Sequence, residues 1–468
     1  MNSMRYISTR GKTSPMGFQD AVMTGLAPDG GLLIPESIPD VRDRLDKWSE
    51  LSYQDITFEI LRLFVDIPDD ALRSLIDRSY APFTHEEIAP AVPVGDIRIL
   101  ELFYGPTLAF KDIALQFLGN FFEYILEQRD EQLNILAATS GDTGSAAIHG
   151  VRGRDRINIF VMHPKGRVAP LQEKQMTSVL DDNVFNLAVE GTFDDCQRIM
   201  KSLFRDLKFK NRYTLGAVNS VNWARVLSQI VYYFSAGLYV LKTDGADRVR
   251  FSVPTGNFGD ILAGYYAYRM GLPVGKLILA TNENDILSRF FNSGEYSLGD
   301  VVPTLSPSMD IQVASNFERY LFYKVGQDSI RLSQLIDRFE KDGTMQLDVG
   351  PDGNVDEVFE SGIGDRQSTL DTIKRYYEDY DYLMDPHTAV GVSVGERFMR
   401  AGEPLIALAT AHPAKFSQAI REATGRDLAR HEYLDKLADA PTQCDTLPAD
   451  QGAVRAYIES HVPATTAE

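Results

Sequence analysis

A chain of 468 residues has room for roughly two to three domains, and its 44% hydrophobic and 24% charged residues are those of an ordinary globular protein. Its formal net charge of -19 argues against nucleic acid or an anionic membrane surface as a partner, and an anionic substrate would need a local basic pocket. Two cysteines, Cys196 and Cys444, and seven scattered histidines signal neither a disulfide framework nor a zinc site.

The start, MNSMRYISTRGK, lacks the apolar stretch of a secretory signal, so a cytoplasmic, reduced setting is expected. LAPDGGLLIPE then reads as a turn between apolar residues, and YQDITFEILRLFV has helical period. From about residue 97 the texture changes to short β-branched runs followed by glycine turns and helices. NILAA (134–138), NIFVM (158–162), VFNLAV (184–189), VRFSV (249–253), KLILA (276–280) and PLIALA (404–409) are the expected strands. Their alternation with helices predicts an α/β architecture with a largely parallel sheet. IVYYFSAGLYVL (230–241) is too short to span a bilayer and reads as a core helix. The polar, glycine-dotted stretch 341–365 is expected to be a surface excursion, and the proline-punctuated tail after about 440 to be loosely attached. No internal repeat stands out.

Ligands of open α/β sheets gather beyond the carboxyl ends of the strands, so the residues just after each strand carry the interest. After VRFSV comes PTGNFGD, with Gly256 and Gly259 directly before a helix. Small residues let backbone N–H groups converge there, and the helix N-terminus adds positive character, which suits a phosphate; a plain turn is the alternative. The spacing is neither that of the dinucleotide loop nor that of the nucleotide P-loop. After NILAA come Thr139, Ser140, Gly141, Asp142, Thr143 and Gly144, which suit a carboxylate or phosphate or else simply cap the next helix. After NIFVM, Lys165, Arg167 and Lys174 offer either an anion dock or a solvated loop. After PLIALA, Thr410 either faces a ligand or satisfies a backbone group. In MDPHTAVG, Asp385 or Thr388 caps a helix, and His387 is structural or reaches a site.

The segment YGPTLAFKDIALQFLGNFFEYI sets Lys111 at the threshold of a helix with an oily face, formed by Ile113, Phe117, Phe121, Phe122 and Ile125. A cation is mildly unfavourable at a helix N-terminus, so Lys111 either turns to solvent or serves as an amine. An amine in apolar surroundings loses its proton readily and becomes nucleophilic. Beside a phosphate cradle, it suggests a Schiff base to a phosphorylated aldehyde, with pyridoxal phosphate the obvious candidate.

GPTLAFKD, TSGDTG, PLQEK, SVPTGNFGD, TNEND and TAHPAKF, in this order, resemble the threonine synthase family of the long bacterial and fungal type. The likeness runs from GLAPDGGLLIP to LPAD near residue 449. It implies a fold-type II pyridoxal-phosphate enzyme, similar to the tryptophan synthase β-subunit, with an added N-terminal domain over 1–96. A catalytic region of two α/β subdomains would follow over 97–440, the smaller about 130–222, and a tail over 441–468. The resemblance assigns the imine-forming lysine to Lys111, the cofactor-phosphate cup to Gly256, Asn257, Phe258, Gly259 and Asp260, and the pyridine nitrogen's partner to Thr410. It gives the substrate's carboxylate end to Ser140, Gly141, Asp142 and Thr143. Charge and position add Lys165 and Arg167 for the substrate phosphate. The implied reaction, the last step of threonine biosynthesis, converts O-phospho-L-homoserine and water to L-threonine and phosphate, with no metal and no obligate protein partner. A hydroxyl at Thr410, unlike a carboxylate, would leave the cofactor ring a milder electron sink. A serine or threonine dehydratase, or a retired binding protein of the same fold, are the rival readings; the intact Lys111 and Asp112 speak against the second.

Overall fold

The computed structural model describes residues 4–139, 141–351 and 353–464. In chain order its strands are β1 (Tyr6–Ser8), β2 (Leu33–Pro35), β3 (Ala91–Val94), β4 (Ile97–Glu101), β5 (Leu133–Ala138), β6 (Ile157–Pro164), β7 (Val184–Glu190), β8 (Leu215–Gly216), β9 (Val249–Pro254), β10 (Val274–Thr281), β11 (Glu295–Ser297), β12 (Thr344–Gln346), β13 (Phe359–Ile363), β14 (Leu405–Ala409) and β15 (Asp445–Pro448). The helices that place the site are α1 (Phe18–Thr24), α2 (Tyr53–Leu61), α3 (Asp69–Tyr80), α4 (Lys111–Arg129), α5 (Asp142–Val151), α6 (Phe193–Arg205), α7 (Trp223–Asp244), α8 (Gly259–Met270), α9 (Pro386–Gly395) and α10 (Gln451–His461).

Two sheets organise the chain. The larger runs β13-β10-β9-β14-β4-β3, parallel throughout except for the β3–β4 hairpin. The smaller runs β15-β7-β6-β5-β8 and is wholly parallel. All six strands expected from the sequence lie in these sheets. Each is an almost continuous apolar run, the pattern a strand needs when both faces of its sheet are covered.

Helix α4 fills the centre. Of its nineteen residues, fourteen are buried, and it ends at Asp130 in the left-handed conformation, where the Glu131 N–H returns to the Leu126 carbonyl. Helix α7 lies against α4 and α8, capped by Asn222, whose side chain accepts the Ala224 N–H. IVYYFSAGLYVL is part of α7 and is a core segment; among the described residues no helix is long and apolar enough to cross a membrane. The N-terminal residues clamp onto this core. Phe18 of α1 meets Phe121 of α4 edge-on at 4.8 Å, Tyr6 accepts the Trp223 indole N–H at 3.0 Å, and the buried Arg319 donates to the carbonyl of Leu33 at 2.9 Å.

Two expectations fail. The tail is not loosely attached: β15 extends the smaller sheet beside β7, and α10 packs on α6 with Val454 and Ile458 fully buried. Val454, Ile458 and Val462, at helical spacing behind a run of prolines and polar groups, carry the docking together with Leu447 and Tyr457. The stretch 341–365 is not a mere surface excursion either. It forms β12, which pairs with β11, and β13, which is an edge strand of the larger sheet. Phe359 is buried against Phe291 at 4.4 Å, while Glu360 is drawn in by the buried Arg250 at 2.8 Å. A polar residue held by an ion pair at a sheet edge hides the period-2 signal.

Candidate active site

The approach to Lys111 is a tied loop. The Asp112 carboxylate accepts the Thr107 N–H at 2.8 Å and the Thr107 hydroxyl at 2.7 Å, and a Cβ on Gly105 would stand 2.4 Å from that of Asp112. Only glycine admits so close a return of the chain. Burial pushes the Asp112 carboxyl up to about 6. On the other side, the Phe110 N–H donates to the Thr410 carbonyl and the His412 N–H to the Leu108 carbonyl. These two bonds hold the start of α4 against the carboxyl end of β14, so Lys111 and Thr410 are brought together.

The Lys111 side chain is nearly buried. Its Nζ lies 3.8 Å from Asp142 Oδ2 and 5.6 Å from the centre of the Phe110 ring. Asp142, at the start of α5, is held by two further donors: Lys415 Nζ at 2.5 Å and Gln172 Nε2 at 2.9 Å from Oδ1. Lys415 is wholly buried, and it also donates to the Thr107 carbonyl at 3.0 Å. Burial lowers the Lys111 ammonium below the usual lysine range; Asp142 opposes this, while Lys415 and Arg225 add to it. Burial alone would raise Asp142, but Lys415 and Lys111 outweigh it and keep the carboxyl well below the usual carboxylate range.

Asp142 therefore stands beside Lys111, Gly141 and Thr143 are its neighbours in the chain, and Ser140 lies outside the described residues. The N-cap is Gly141, and Thr139 ahead of it accepts the N–H groups of Gly141 and Gly144 at 3.1 and 3.0 Å. Gly141 has φ of 155°, and a Cβ there would meet the Gln172 amide oxygen at 2.2 Å. The half-buried Thr143 keeps a hydroxyl with no partner among the described residues.

The loop before α8 is built around Phe258, a non-glycine residue at φ of 66°, a conformation costing about 1–3 kcal/mol. Its ring offsets that cost in an aromatic cluster with Phe317 and Tyr320, at 5.3 and 5.7 Å. Asn257 Oδ1 accepts the Gly259 N–H at 3.0 Å, and the Asn257 carbonyl accepts the Asn316 N–H at 3.0 Å. A Cβ on Gly256 would stand 2.5 Å from the Ser308 carbonyl oxygen. The N–H groups of Gly256, Asn257 and Phe258 reach no acceptor among the described residues, so the loop is a cradle of free donors. The Asp260 side chain does not share in it. Its carboxylate faces α7, accepting the Tyr232 and Tyr233 hydroxyls, the latter at 2.9 Å, and burial pushes it up to about 6.

Lys165 and Arg167 are not gathered with Lys111. Both are exposed, and Lys165 pairs with Glu190 at 3.1 Å. Besides Lys415, the cation that bears on Lys111 is Arg225, in the first turn of α7. It is 4% exposed, Nε and Nη1 have no partner among the described residues, and burial brings its guanidinium down to about 10. An unpaired buried charge is costly, which marks a place kept for an anion. Its sequence signal matches that of Lys111: NWARVL sets a cation at the threshold of an oily helix. Lys415, in TAHPAKF, and Gln172, in PLQEK, were legible only as parts of motifs. Asp385 caps α9, accepting the His387 N–H at 2.9 Å. His387 Nδ1 lies 2.8 Å from Asp385, and its Nε2 accepts the Ser308 N–H at 3.3 Å, which braces the outer wall of the loop.

A phosphorylated aldehyde fits these residues. Among the described residues, the Lys111 amine has no hydrogen-bond partner, its nearest carboxylate oxygen lying at 3.8 Å, the loop offers unpaired N–H groups, and the Thr410 hydroxyl has no partner. Comparisons with known proteins agree. Residues 5–80, 87–334 and 388–458 match the families described as threonine synthase N terminus, pyridoxal-phosphate dependent enzyme and threonine synthase C-terminal. The chain is 46% identical to threonine synthase of Schizosaccharomyces pombe, with 90% of each chain covered, and 44% identical to that of Pseudomonas aeruginosa, with 98% of each covered. The crystal structure of PLP-bound threonine synthase from Brucella melitensis superposes with a TM-score of 0.94 at 42% identity, covering 98% of this chain and 99% of that one. The chain therefore belongs to the threonine synthase family of fold-type II pyridoxal-phosphate enzymes.

Proposed function

We propose that the protein is a threonine synthase that converts O-phospho-L-homoserine and water to L-threonine and phosphate, with Lys111 as the catalytic amine. The observation that carries the reading is the arrangement at Lys111: a buried, loosely partnered amine, a cradle of free N–H donors and an unpaired buried arginine. Gly256, Asn257, Phe258 and Gly259 would hold the cofactor phosphate through backbone N–H groups, Asp260 serving only to anchor the loop, and Thr410 would face the ring nitrogen. Gly141, Asp142 and Thr143 suit the substrate's carboxylate end. Arg225 is a better candidate for the substrate phosphate than Lys165 or Arg167, because it is desolvated and free. In domain terms, residues 4–96 would support α4 and α7, 97–440 would carry the chemistry, and 441–464 would complete the smaller subdomain.

Pyridoxal phosphate, when bound, supplies a carbonyl that captures the substrate amine and a ring that accepts the electrons of the broken Cα–H bond. Lys111 then handles protons. It takes one at Cα and passes it on before taking a second at Cβ as the γ-phosphate departs; that second proton goes back at Cγ, the one released by the water that adds at Cβ is matched by one returned at Cα, and the released phosphate carries away the balance. A long, flexible stem lets a single amine reach these atoms. Arg225 would stabilise the phosphate as it leaves, since a charge-assisted bond strengthens away from water.

The test is the absorption spectrum of the purified protein before and after borohydride, with peptide mapping of the reduced adduct and product analysis on O-phospho-L-homoserine. The expected result is a label on Lys111, with threonine and phosphate formed in equal amounts. A colourless, unlabelled protein after addition of pyridoxal phosphate overturns the cofactor assignment, and 2-oxobutyrate with ammonia would point to the dehydratase instead.

A further inference from the structure

A carboxylate beside a lysine that must act as a neutral amine is a liability. Left to itself, Asp142 would pair with Lys111 and keep the ammonium charged. The structure resolves the conflict with a second lysine. Lys415 takes Asp142 Oδ1 at 2.5 Å, while Lys111 stands 3.8 Å from Oδ2, beyond hydrogen-bond distance. Lys415 cannot wander, because its ammonium also donates to the Thr107 carbonyl at 3.0 Å and its side chain has no exposed surface. Thr107 is itself fixed to Asp112 in the turn that leads into Lys111, so one ammonium ties the 413–415 turn, the start of α5 and the approach to α4 together.

We propose that Lys415 is a positioning residue: its ammonium claims the Asp142 carboxylate and so leaves the Lys111 amine free to lose its proton and attack. Lys415 forms no bond to cofactor or substrate in this role. It acts through Asp142. The other charged groups that bear on Lys111 are Arg225 from α7, which also favours the neutral amine, and Asp112 on its own helix, which is engaged by Thr107. His387, on α9, acts on Asp142 in the same sense as the two lysines. The inference rests on the reading of Lys111 as the catalytic amine.

The experiment follows capture of added pyridoxal phosphate by the full-length, cofactor-free protein. The rate at which label becomes fixed to Lys111 by borohydride is measured as a function of pH. Wild type is read first: label elsewhere than Lys111 overturns the functional reading itself. In Lys415→Gln, Asp142 turns to Lys111, and the capture curve moves to higher pH, with a fall of roughly tenfold near neutral pH and an unchanged plateau in alkali. Lys415→Arg restores the wild-type curve. Asp142→Asn/Lys415→Gln, which removes both charges, brings the curve back to the wild-type pH or below it. A Lys415→Gln curve that coincides with wild type, or a double variant as slow as Lys415→Gln, overturns the proposal. If Lys415→Gln does not fold, Lys415→Arg and the double variant decide: slow capture at neutral pH in either refutes it.

Discussion

The Thr410 carbonyl accepts the N–H of Phe110 at 2.9 Å, so the residue before Lys111 is bonded to the residue after β14. One peptide group thus sets the register between the amine and the carboxyl edge of the larger sheet. The Thr410 side chain is separate from this bond, and its hydroxyl has no partner among the described residues. Backbone and side chain of one residue therefore carry different duties, and a substitution can divide them.

Thr410→Val keeps the shape and the backbone bond while removing the hydroxyl. The cofactor-free protein should melt within a degree or so of wild type, because no protein contact is lost. Its dissociation constant for pyridoxal phosphate should rise roughly 3- to 10-fold, the worth of one net hydrogen bond. Equilibrium dialysis against the cofactor measures this. An unchanged constant would mean that the hydroxyl meets no ligand atom.

Arg225→Met separates function from stability. The guanidinium is buried with two nitrogens unpartnered, so an apolar side chain of similar length relieves a cost and should leave the cofactor-free protein as stable as wild type or more so. Loss of a charge-assisted contact should reduce kcat/KM for O-phospho-L-homoserine by roughly 10- to 100-fold. With pyridoxal phosphate bound and the loop before α8 filled, inorganic phosphate should raise the melting temperature of wild type but not of the variant. A variant that loses stability and keeps its kcat/KM would return Arg225 to a structural role.

The legibility of the site followed the range of its interactions. Lys111 and the loop Gly256–Asp260 drew attention as candidates because a cation at an oily helix and glycines at a strand end are local patterns. Arg225 shows the same local pattern but acquires meaning only when its unpartnered nitrogens are seen. Lys415 was invisible as a counterion, since nothing in the spacing of TAHPAKF says that its lysine reaches Asp142 on another subdomain. Lys165 and Arg167 misled for the opposite reason: clustered charge in sequence is commonest where water solvates it. Likewise all six apolar strands were legible and β13 was not, because Glu360 is stabilised by Arg250 from β9, two strands away in the same sheet.

Asp260 predicts a pH-dependent stability with a definite sign. Its folded-state pKa is raised to about 6 by burial, against 3.8 for the ordinary carboxyl. Below about pH 4 the carboxyl is protonated in both folded and unfolded chains and costs nothing. Between about 4 and 6 the unfolded chain releases its proton first, so stability falls as pH rises, by up to about 3 kcal/mol, and then levels off. Asp260→Asn removes this dependence. Denaturant titrations of both proteins at several pH values isolate it: wild type should lose stability relative to the variant from pH 4 to 6.5, whatever their constant offset. A difference that stays flat across that range would mean that Asp260 ionises normally in the folded chain.

Truncation after Asp439 tests the docked tail. It strips the partner from β7, leaving an open parallel edge, and uncovers the site where Val454 and Ile458 pack with Ile199 and Leu203. Those two side chains alone contribute about 1.5–3 kcal/mol each by burial. It also removes the Arg455 contact with Asp206 at 3.0 Å, which lies at the surface and adds little. The truncated chain should therefore unfold at markedly lower denaturant concentration and elute partly as aggregate. Ile458→Ala in the full chain should reproduce about 2–5 kcal/mol of the loss without exposing the edge, and so without the aggregation. If the truncated chain keeps its unfolding midpoint and stays monodisperse relative to the full chain, the smaller sheet is complete without β15, and the tail is an appendage after all.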